Sequence, residues 1–160
     1  MPSITGKRFL CMRNAIIIHG AYGYPEENWF PWLKKELKQI GFKVFVPQFP
    51  TPNNQNLKNW NKVFLRYEKY VDEDTILIGH SLGALFIMNI LENYKVKACY
   101  LVGGFLGLLG VKKFDIINKT ITNRKFNFKK IKKNCKIFFV YNSDNDLMCH
   151  WKKEKSWPKN

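Results

Sequence analysis

A serine between two glycines is the feature of this sequence that points most directly to chemistry. The motif Gly79-His80-Ser81-Leu82-Gly83 follows an apolar run at residues 76–78 and precedes a helical pattern. A sharp strand-to-helix turn of this kind lifts a serine hydroxyl above the edge of a sheet, and glycines flank it because a side chain would collide with neighbouring elements. The motif therefore predicts that Ser81 is a nucleophile. The alternative is a serine that only caps the helix.

Two backbone N–H groups could stabilise the oxyanion that forms when such a serine attacks a carbonyl group. Leu82 opens the helix, whose N-terminus offers unpaired N–H groups and the positive end of the helix dipole. A second turn, His19-Gly20, ends the first apolar run and can place the N–H of Ala21 opposite that of Leu82. We therefore expect Ala21 and Leu82 to be the oxyanion donors.

A nucleophilic serine also needs an imidazole to accept its proton and a carboxylate to orient that imidazole. The chain has three histidines, His19, His80 and His150. His19 belongs to the turn after the first strand, and His80 precedes the nucleophile, a position that is normally not catalytic. His150 is an unfavourable substitute, because it would begin a helix rather than lie on a loop that reaches back over Ser81.

Strands and helices alternate around these residues. Strands are predicted at residues 14–20, 42–46, 75–79, 96–102 and 136–141, and helices at 29–40, 57–70 and 82–93. Strands that are continuous apolar runs are typical of a parallel sheet covered on both faces, so the pattern predicts a doubly wound α/β domain. Residues 103–110 follow a strand at the carboxyl edge, where such folds bind ligands, and we expect them to line the substrate pocket. The pattern leaves residues 111–133 unassigned.

The first predicted helix carries an aromatic stripe. The residues on one face are Trp29, Trp32, Leu33, Leu37 and Ile40. This spacing is typical of a face that packs in the core, so we expect Trp29, Phe30 and Trp32 to be core residues rather than a ligand platform. Asn28 is the predicted N-cap, and Gly41 is the predicted stop.

Composition and length limit the class of protein. At 160 residues the chain is long enough for one domain with a substantial core. It has no apolar run long enough to span a membrane and no pattern of a signal peptide. The four cysteines lack the spacing of a metal site and are interpreted as reduced thiols, so we expect a cytoplasmic protein without a metal site.

The net charge of +15 raises the alternative of nucleic-acid binding. Lysines are spread over nearly every polar segment, in company with many asparagines, which favours biased codon usage as the explanation. The densest basic cluster, residues 125–136, contains Phe126 and Phe128. A basic and aromatic patch remains an alternative there, but we expect no nucleic-acid partner.

Several motifs together resemble those of the YdeN-like serine hydrolases, a family that includes retinoblastoma-binding protein nine. They are Ile17-Ile18-His19-Gly20, Asn28-Trp29-Phe30-Pro31-Trp32-Leu33-Lys34, Pro47-Gln48-Phe49-Pro50-Thr51-Pro52 and Gly79-His80-Ser81-Leu82-Gly83, over roughly residues 12–146. The resemblance implies a small cytoplasmic enzyme of α/β-hydrolase fold, without a large lid or a cofactor, that acts as a carboxylesterase on simple esters.

The resemblance also implies the acid of the catalytic triad. In the family, the acid lies in a Ser-Asp-x-Asp-Pro segment after the penultimate strand, and Asp146 of Ser143-Asp144-Asn145-Asp146 matches its second aspartate. Asp144 is the weaker candidate and could instead cap the turn. The family's histidine lies on a Gly-His turn after a further helix and strand, which this sequence does not contain. We thus expect a serine hydrolase of small esters or amides with impaired activity; the alternative is a non-catalytic binding or interaction protein with this fold.

The resemblance divides the chain into three segments. Residues 1–11 are interpreted as an extension, 12–146 as the hydrolase domain, and 147–160 as a tail unlike the family. If one base were added after the Asp146 codon, the shifted reading frame would encode a tail similar to the family's continuation. We therefore hypothesise that residues 147–160 are translated out of frame. A sheet that lacks the family's last strand and helices would expose the strand at residues 136–141, which favours self-association.

Overall fold

The computed structural model describes residues 13–145, which form a five-stranded parallel sheet with helices on both faces. The strands are β1 (Arg13–Ile18), β2 (Phe42–Phe45), β3 (Ile76–His80), β4 (Ala98–Val102) and β5 (Phe138–Tyr141). The helices are α1 (Phe30–Gln39), α2 (Leu57–Phe64), α3 (Leu82–Leu91), α4 (Lys112–Thr122) and α5 (Phe128–Asn134), with a 3₁₀ turn at Glu68–Tyr70. The prediction of a doubly wound parallel sheet is confirmed.

The strand order β2-β1-β3-β4-β5 places β1 and β3 side by side in the middle of the sheet. Their register pairs Ala15 with Ile76 and Ile18 with Gly79. Central strands of a parallel sheet are covered on both faces, which explains why their sequences are continuous apolar runs instead of alternating ones. The chain moves outward from β1 to β2 and then returns to β3, so the order reverses between β1 and β3.

Two apolar cores lie on opposite faces of the sheet. The larger core contains Ile16, Ile18 and Leu77 of the strands and side chains from α2, α3, α4 and α5. The smaller core contains the intervening strand residues, such as Ile17 and Ile78, and is covered by α1. Nine of the ten residues of α3 are buried, which agrees with its sequence being apolar on every side.

Helix α1 corrects two predictions. Phe30 and Leu37 are its buried residues, whereas the side chain of Trp32 is 63% exposed and Ile40 is equally exposed. Its N-cap is Trp29, and Asn28 adopts a left-handed conformation with φ of 52° and does not cap the helix. Asparagine tolerates positive φ better than most residues, so the tight turn before the helix uses this property instead of its side-chain oxygen. The predicted stop at Gly41 has φ of 89°.

Two other segments differ from the predicted elements. The helix expected at residues 57–70 ends at Phe64, and its last part is the 3₁₀ turn. The segment 111–133, which the sequence pattern left unassigned, forms α4 and α5 on the same face of the sheet as α3. Within residues 13–145, no helix is both long and apolar enough to cross a lipid bilayer.

An apolar groove of about 480 Å³ lies between α1 and the neighbouring strands. Its lining residues are Trp29, Trp32, Leu33, Leu37, Ile76, Ile78, Tyr100, Val102 and Tyr141. Among the residues that the structure describes, α1 is the only helix on this face, and β5 is the last strand of the sheet. Phe139 and Tyr141 of β5 are exposed on this face, and Val140 is exposed on the opposite face.

Candidate active site

The two turns singled out in the sequence meet at the carboxyl edge of the central strands. Ser81 follows β3, and the turn of His19 and Gly20 follows β1. A Cβ atom added to Gly20 would lie 2.9 Å from the Cβ of Ser81, so the backbones of the two turns are in direct contact. Because the strand order reverses between β1 and β3, this is the position where open α/β sheets bind their ligands.

Ser81 has a strained backbone and a hydroxyl that does not cap the helix. Its φ of 53° and ψ of −119° lie outside the regions that residues with a Cβ normally occupy. It occupies the N-cap position of α3, yet its side chain makes no capping hydrogen bond. Its N–H donates to the carbonyl of Val102 on β4, at 2.9 Å. The capping alternative is therefore wrong: the turn holds the backbone and leaves the partly exposed hydroxyl without a structural role.

Gly79 and Gly83 flank the serine because other backbone segments approach too closely at both positions for a side chain to fit. A Cβ on Gly79 would lie 2.6 Å from the backbone nitrogen of Ala84 in α3. A Cβ on Gly83 would lie 2.7 Å from the carbonyl oxygen of His19 and closer still to that of Ile18. The N-terminus of α3 is thus packed directly against the end of β1, which brings the Leu82 N–H close to the turn that carries Ala21.

The N–H groups of Tyr22 and Gly23 in the first turn are used in hydrogen bonds to other described residues, whereas that of Ala21 is not. The N–H of Gly23 donates to the carbonyl of Gly20 at 3.2 Å, and the N–H of Tyr22 donates to the Thr51 hydroxyl at 2.6 Å. The structure gives no hydrogen bond to the Ala21 N–H within residues 13–145. Leu82 is the first residue of α3, so its N–H precedes the hydrogen-bonded ladder of the helix.

His19 is fully buried and bound at both ring nitrogens, so it cannot act as the base. The Phe49 N–H donates to Nε2 at 2.9 Å, which requires Nε2 to carry the lone pair. Nδ1 therefore carries the hydrogen and donates to the carbonyl of Gly20 at 2.8 Å. Burial lowers the pKa of His19, with a smaller lowering by His80, so the ring is neutral.

His80 lies against α1. Its ring is edge-on to those of Trp29 and Phe30, at centroid distances of 6.2 Å and 6.0 Å. These aromatic residues belong to the smaller core, on the face of the sheet opposite to α3. Neither of the two histidines between residues 13 and 145 is thus placed to accept the proton of Ser81.

The segment expected to supply the acid leaves the sheet at the same edge. Tyr141 ends β5, and its carbonyl accepts the N–H of Gly103 at 2.8 Å, one strand beyond the bond between Ser81 and Val102. Asp144 is exposed in the turn that follows. The predicted acid, Asp146, and the substitute base, His150, lie outside the described residues.

The segment after β4 contributes apolar side chains to the larger core, against which Ala21 also packs. Phe105 is buried, and Leu106 and Leu109 pack against the same core as Ala21. The ring of Tyr22 is edge-on to that of Phe114 in α4, at 5.5 Å. No cluster of three His, Cys, Asp or Glu side chains that could ligate a metal ion occurs in the described part of the chain.

The sequence did not reveal the polar network that ties the first turn to α4. The Thr51 hydroxyl, which accepts the Tyr22 N–H, donates to the Gln55 side-chain oxygen, and the Gln55 amide donates to Asn118 of α4 at 2.6 Å. Gln55 and Asn118 are both buried. These residues are separated by up to 96 positions, and nothing in their local sequence marks them as partners.

Comparisons with known proteins agree with this arrangement. The family model described as "Serine hydrolase" matches residues 15–160. The chain is 31% identical over 147 residues to serine hydrolase RBBP9 of Rattus norvegicus, with 88% of this chain and 76% of the relative covered. It is 33% identical over 97 residues to YdeN of Bacillus subtilis, with 58% of this chain and 51% of the relative covered.

Solved structures show the same fold. The crystal structure of the ydeN gene product from B. subtilis superposes with a TM-score of 0.78 and 28% identity, covering 88% of this chain and 76% of that one. Est1E from Butyrivibrio proteoclasticus, with bound ferulic acid, superposes with a TM-score of 0.67 at 19% identity, covering 88% and 72% of the two chains. At that identity, the likeness to Est1E concerns the α/β-hydrolase fold alone.

Proposed function

This chain belongs to the serine hydrolase family, and from that premise we propose that it cleaves small ester or amide substrates with Ser81 as the nucleophile. The observation that carries the proposal is the strained turn at Ser81, whose hydroxyl makes no capping bond. A strained backbone of this kind costs about 1–3 kcal/mol and persists only where the surrounding structure imposes it, typically at functional sites. Here the imposed geometry directs a free hydroxyl to the turn that carries Ala21.

The chemistry would proceed by acyl transfer. The Ser81 oxygen attacks the substrate carbonyl carbon, and the N–H groups of Ala21 and Leu82 stabilise the oxyanion. Collapse of the tetrahedral intermediate releases the alcohol or amine and leaves an acyl-enzyme, which water then hydrolyses. The apolar residues at 103–110 would contact the acyl group of the substrate, because they follow β4 at the carboxyl edge of the sheet, the edge that also holds Ser81.

Neither histidine between residues 13 and 145 is placed to accept the proton of Ser81 in this mechanism. His19 and His80 are held elsewhere, and His150 is the remaining histidine. We propose Asp146 as the acid, because β5 delivers its segment to the edge of the sheet that holds Ser81. We propose further that ester turnover is slow, at the level that the oxyanion donors and substrate binding sustain without an oriented base.

The proposal is tested with a fluorophosphonate probe followed by peptide mass spectrometry. We expect a covalent adduct on Ser81 in the full chain, formed slowly, and none in Ser81→Ala. Ser156→Ala makes the same chemical change away from the motif and is the matched control, which should label like the wild type. A folded wild-type protein that never labels on Ser81 would contradict the hydrolase proposal and favour the alternative, a non-catalytic binding protein.

The outer edge of the sheet supports a proposal about association. We propose that copies of the chain self-associate through β5, because no strand between residues 13 and 145 pairs with its outer edge and Phe139, Val140 and Tyr141 are exposed. Val140→Lys should reduce the mass observed in light scattering, whereas Lys136→Ala should not. An unchanged mass in Val140→Lys would contradict this role of β5.

The nucleic-acid alternative receives no support from the aromatic residues of the basic cluster. Phe126 and Phe128 are partly buried and pack against the larger core. This packing gives both rings a structural role and favours the interpretation that the neighbouring lysines of α5 form a solvated surface. A measured affinity for oligonucleotides that falls steeply with salt would reverse this interpretation.

A further inference from the structure

The peptide bond that links Gly20 to Ala21 is fixed through hydrogen bonds to its carbonyl oxygen. A trans peptide is planar, and its C=O and N–H point in opposite directions. The Gly20 oxygen accepts two hydrogen bonds, from Nδ1 of His19 at 2.8 Å and from the N–H of Gly23 at 3.2 Å. Whatever fixes this carbonyl also fixes the direction of the Ala21 N–H, because the two groups share one rigid plane.

The imidazole that holds this carbonyl is itself held by a distant loop. Nε2 of His19 accepts the N–H of Phe49 at 2.9 Å, which leaves the ring hydrogen on Nδ1, facing Gly20. The side-chain amide of Gln48 lies 3.3 Å from the same Nε2 and 3.3 Å from the carbonyl of Gly23. The loop that carries Gln48 and Phe49 therefore selects the tautomer that the turn requires.

Packing prevents the ring from turning away. The His19 ring is fully buried, edge-on to Phe49 at 5.6 Å and to Trp60 at 5.9 Å. The next peptide of the turn is fixed separately, because the Tyr22 N–H donates to Thr51. Both peptides that flank Ala21 are thus anchored, one by His19 and the other by Thr51.

We infer that His19 is a positioning residue of the oxyanion hole: its Nδ1–H holds the Gly20 carbonyl and thereby aims the Ala21 N–H toward Ser81. This inference rests on the proposed function, since it assigns His19 a role in the same reaction. His19 contacts neither the nucleophile nor the substrate, and its effect passes through one peptide plane. It also explains the spacing of the motifs, in which the 47–52 loop has to supply a donor to Nε2.

Two substitutions separate positioning from general stability. His19→Asn can place an amide nitrogen near the position of Nδ1 and keep the bond to Gly20, while it loses the bond from Phe49. His19→Gln reaches toward the position of Nε2, where its oxygen can accept the Phe49 N–H, while it loses the bond to Gly20. Both remove the imidazole from the same buried site, so both destabilise the fold, but only His19→Gln should misdirect the Ala21 N–H.

The experiment measures the rate of fluorophosphonate labelling of Ser81 in the full chain at a temperature where circular dichroism shows every variant folded. Loss of one oxyanion donor typically slows acyl transfer by about 10²-fold, so we expect His19→Gln to label about 10²-fold more slowly than the wild type. His19→Asn should recover most of that rate despite its lower stability. Nitrogen-15 chemical shifts of the wild-type ring should show the hydrogen on Nδ1.

The outcomes are distinguishable. A wild-type ring with its hydrogen on Nε2, a His19→Gln rate equal to that of the wild type, or a His19→Asn rate as low as that of His19→Gln would each overturn the inference. A wild type that does not label on Ser81 would instead overturn the proposed function, and the oxyanion-hole role of His19 with it.

Discussion

Substituting Gly83 by alanine is expected to destabilise the fold and separate the two turns of the site. The new Cβ would lie 2.7 Å from the His19 oxygen and 2.8 Å from the Ile18 carbonyl carbon, below any separation that real Cβ atoms show. Both neighbours are backbone atoms at the end of β1 and in the turn that follows it, so no side-chain rotation relieves the clash, and α3 must move by several tenths of an ångström. Nine of its ten residues are buried, so this movement disturbs the whole core on that face.

The magnitude follows from two opposing effects. Overpacking costs about 1–3 kcal/mol, and the upper end applies here because backbone is the obstacle. Alanine is favoured over glycine in a helix by about 1 kcal/mol, which offsets part of this loss. We therefore expect the free energy of unfolding to fall by about 2 kcal/mol, which corresponds to a decrease of about 4–8 °C in Tm for a chain of this size.

The assay is urea denaturation followed by circular dichroism, with Gly41→Ala as the matched control. Gly41 has φ of 89° and open space around it, so its substitution costs about 1–2 kcal/mol of local strain without moving any element of the site. Labelling of Ser81 should slow in Gly83→Ala and stay unchanged in Gly41→Ala. A Gly83→Ala protein as stable as the wild type would refute the close approach of α3 to β1.

Three further predictions concern strain, protonation and a partly buried ion pair. Ser81→Gly should be about 1 kcal/mol more stable than Ser81→Ala in urea, because glycine relieves the strain at φ of 53°; equal stability would argue against that strain. Burial lowers the pKa of His19 in the folded protein, against a smaller opposing effect of the hydrogen bond to Gly20, so the unfolded state binds more protons than the folded state as the pH falls. The free energy of unfolding should therefore decline below about pH 6.5, the ordinary pKa of histidine, and His19→Asn should decline less steeply. The pair of Arg124 and Glu92 is largely buried, so Arg124→Met should cost about 2 kcal/mol in urea, and Glu92→Gln in that background should recover part of it.

The sequence predicted the centre of the fold well because the residue patterns of the central strands and of α3 are compatible with few other secondary structures. A β-branched run such as Ile16 to Ile18 fits a strand buried on both faces, and the apolar sequence of α3 fits a helix buried on nearly every side. The sequence predicted less accurately which residues of the amphipathic helices are buried. Trp32 has the helical spacing of the apolar stripe in α1, yet its side chain is exposed. Helical spacing alone does not show which residues of such a stripe contact the sheet and which remain in solvent.

The site was predictable where its chemistry is local. The turn around Ser81 is set by a few consecutive residues, two of them glycines that cannot be replaced without collision. The state of His19 was not predictable, since it depends on the N–H of Phe49, 30 residues later in the chain. Local sequence likewise does not specify the network of Thr51, Gln55 and Asn118, which forms only when the helices reach their final positions.

The position of β5 has a consequence for the order in which the protein opens. The turns of Gly20 and Ser81 follow β1 and β3, two interior strands whose amide hydrogens should exchange slowly with solvent, whereas β5 pairs with only one strand among residues 13–145 and has exposed side chains. Fluctuations that detach β5 would move the turn at residues 142–145 away from the sheet while the turn of Ser81 stays intact. On gentle heating, the amide hydrogens of β5 should thus become exchangeable before the helical signal declines.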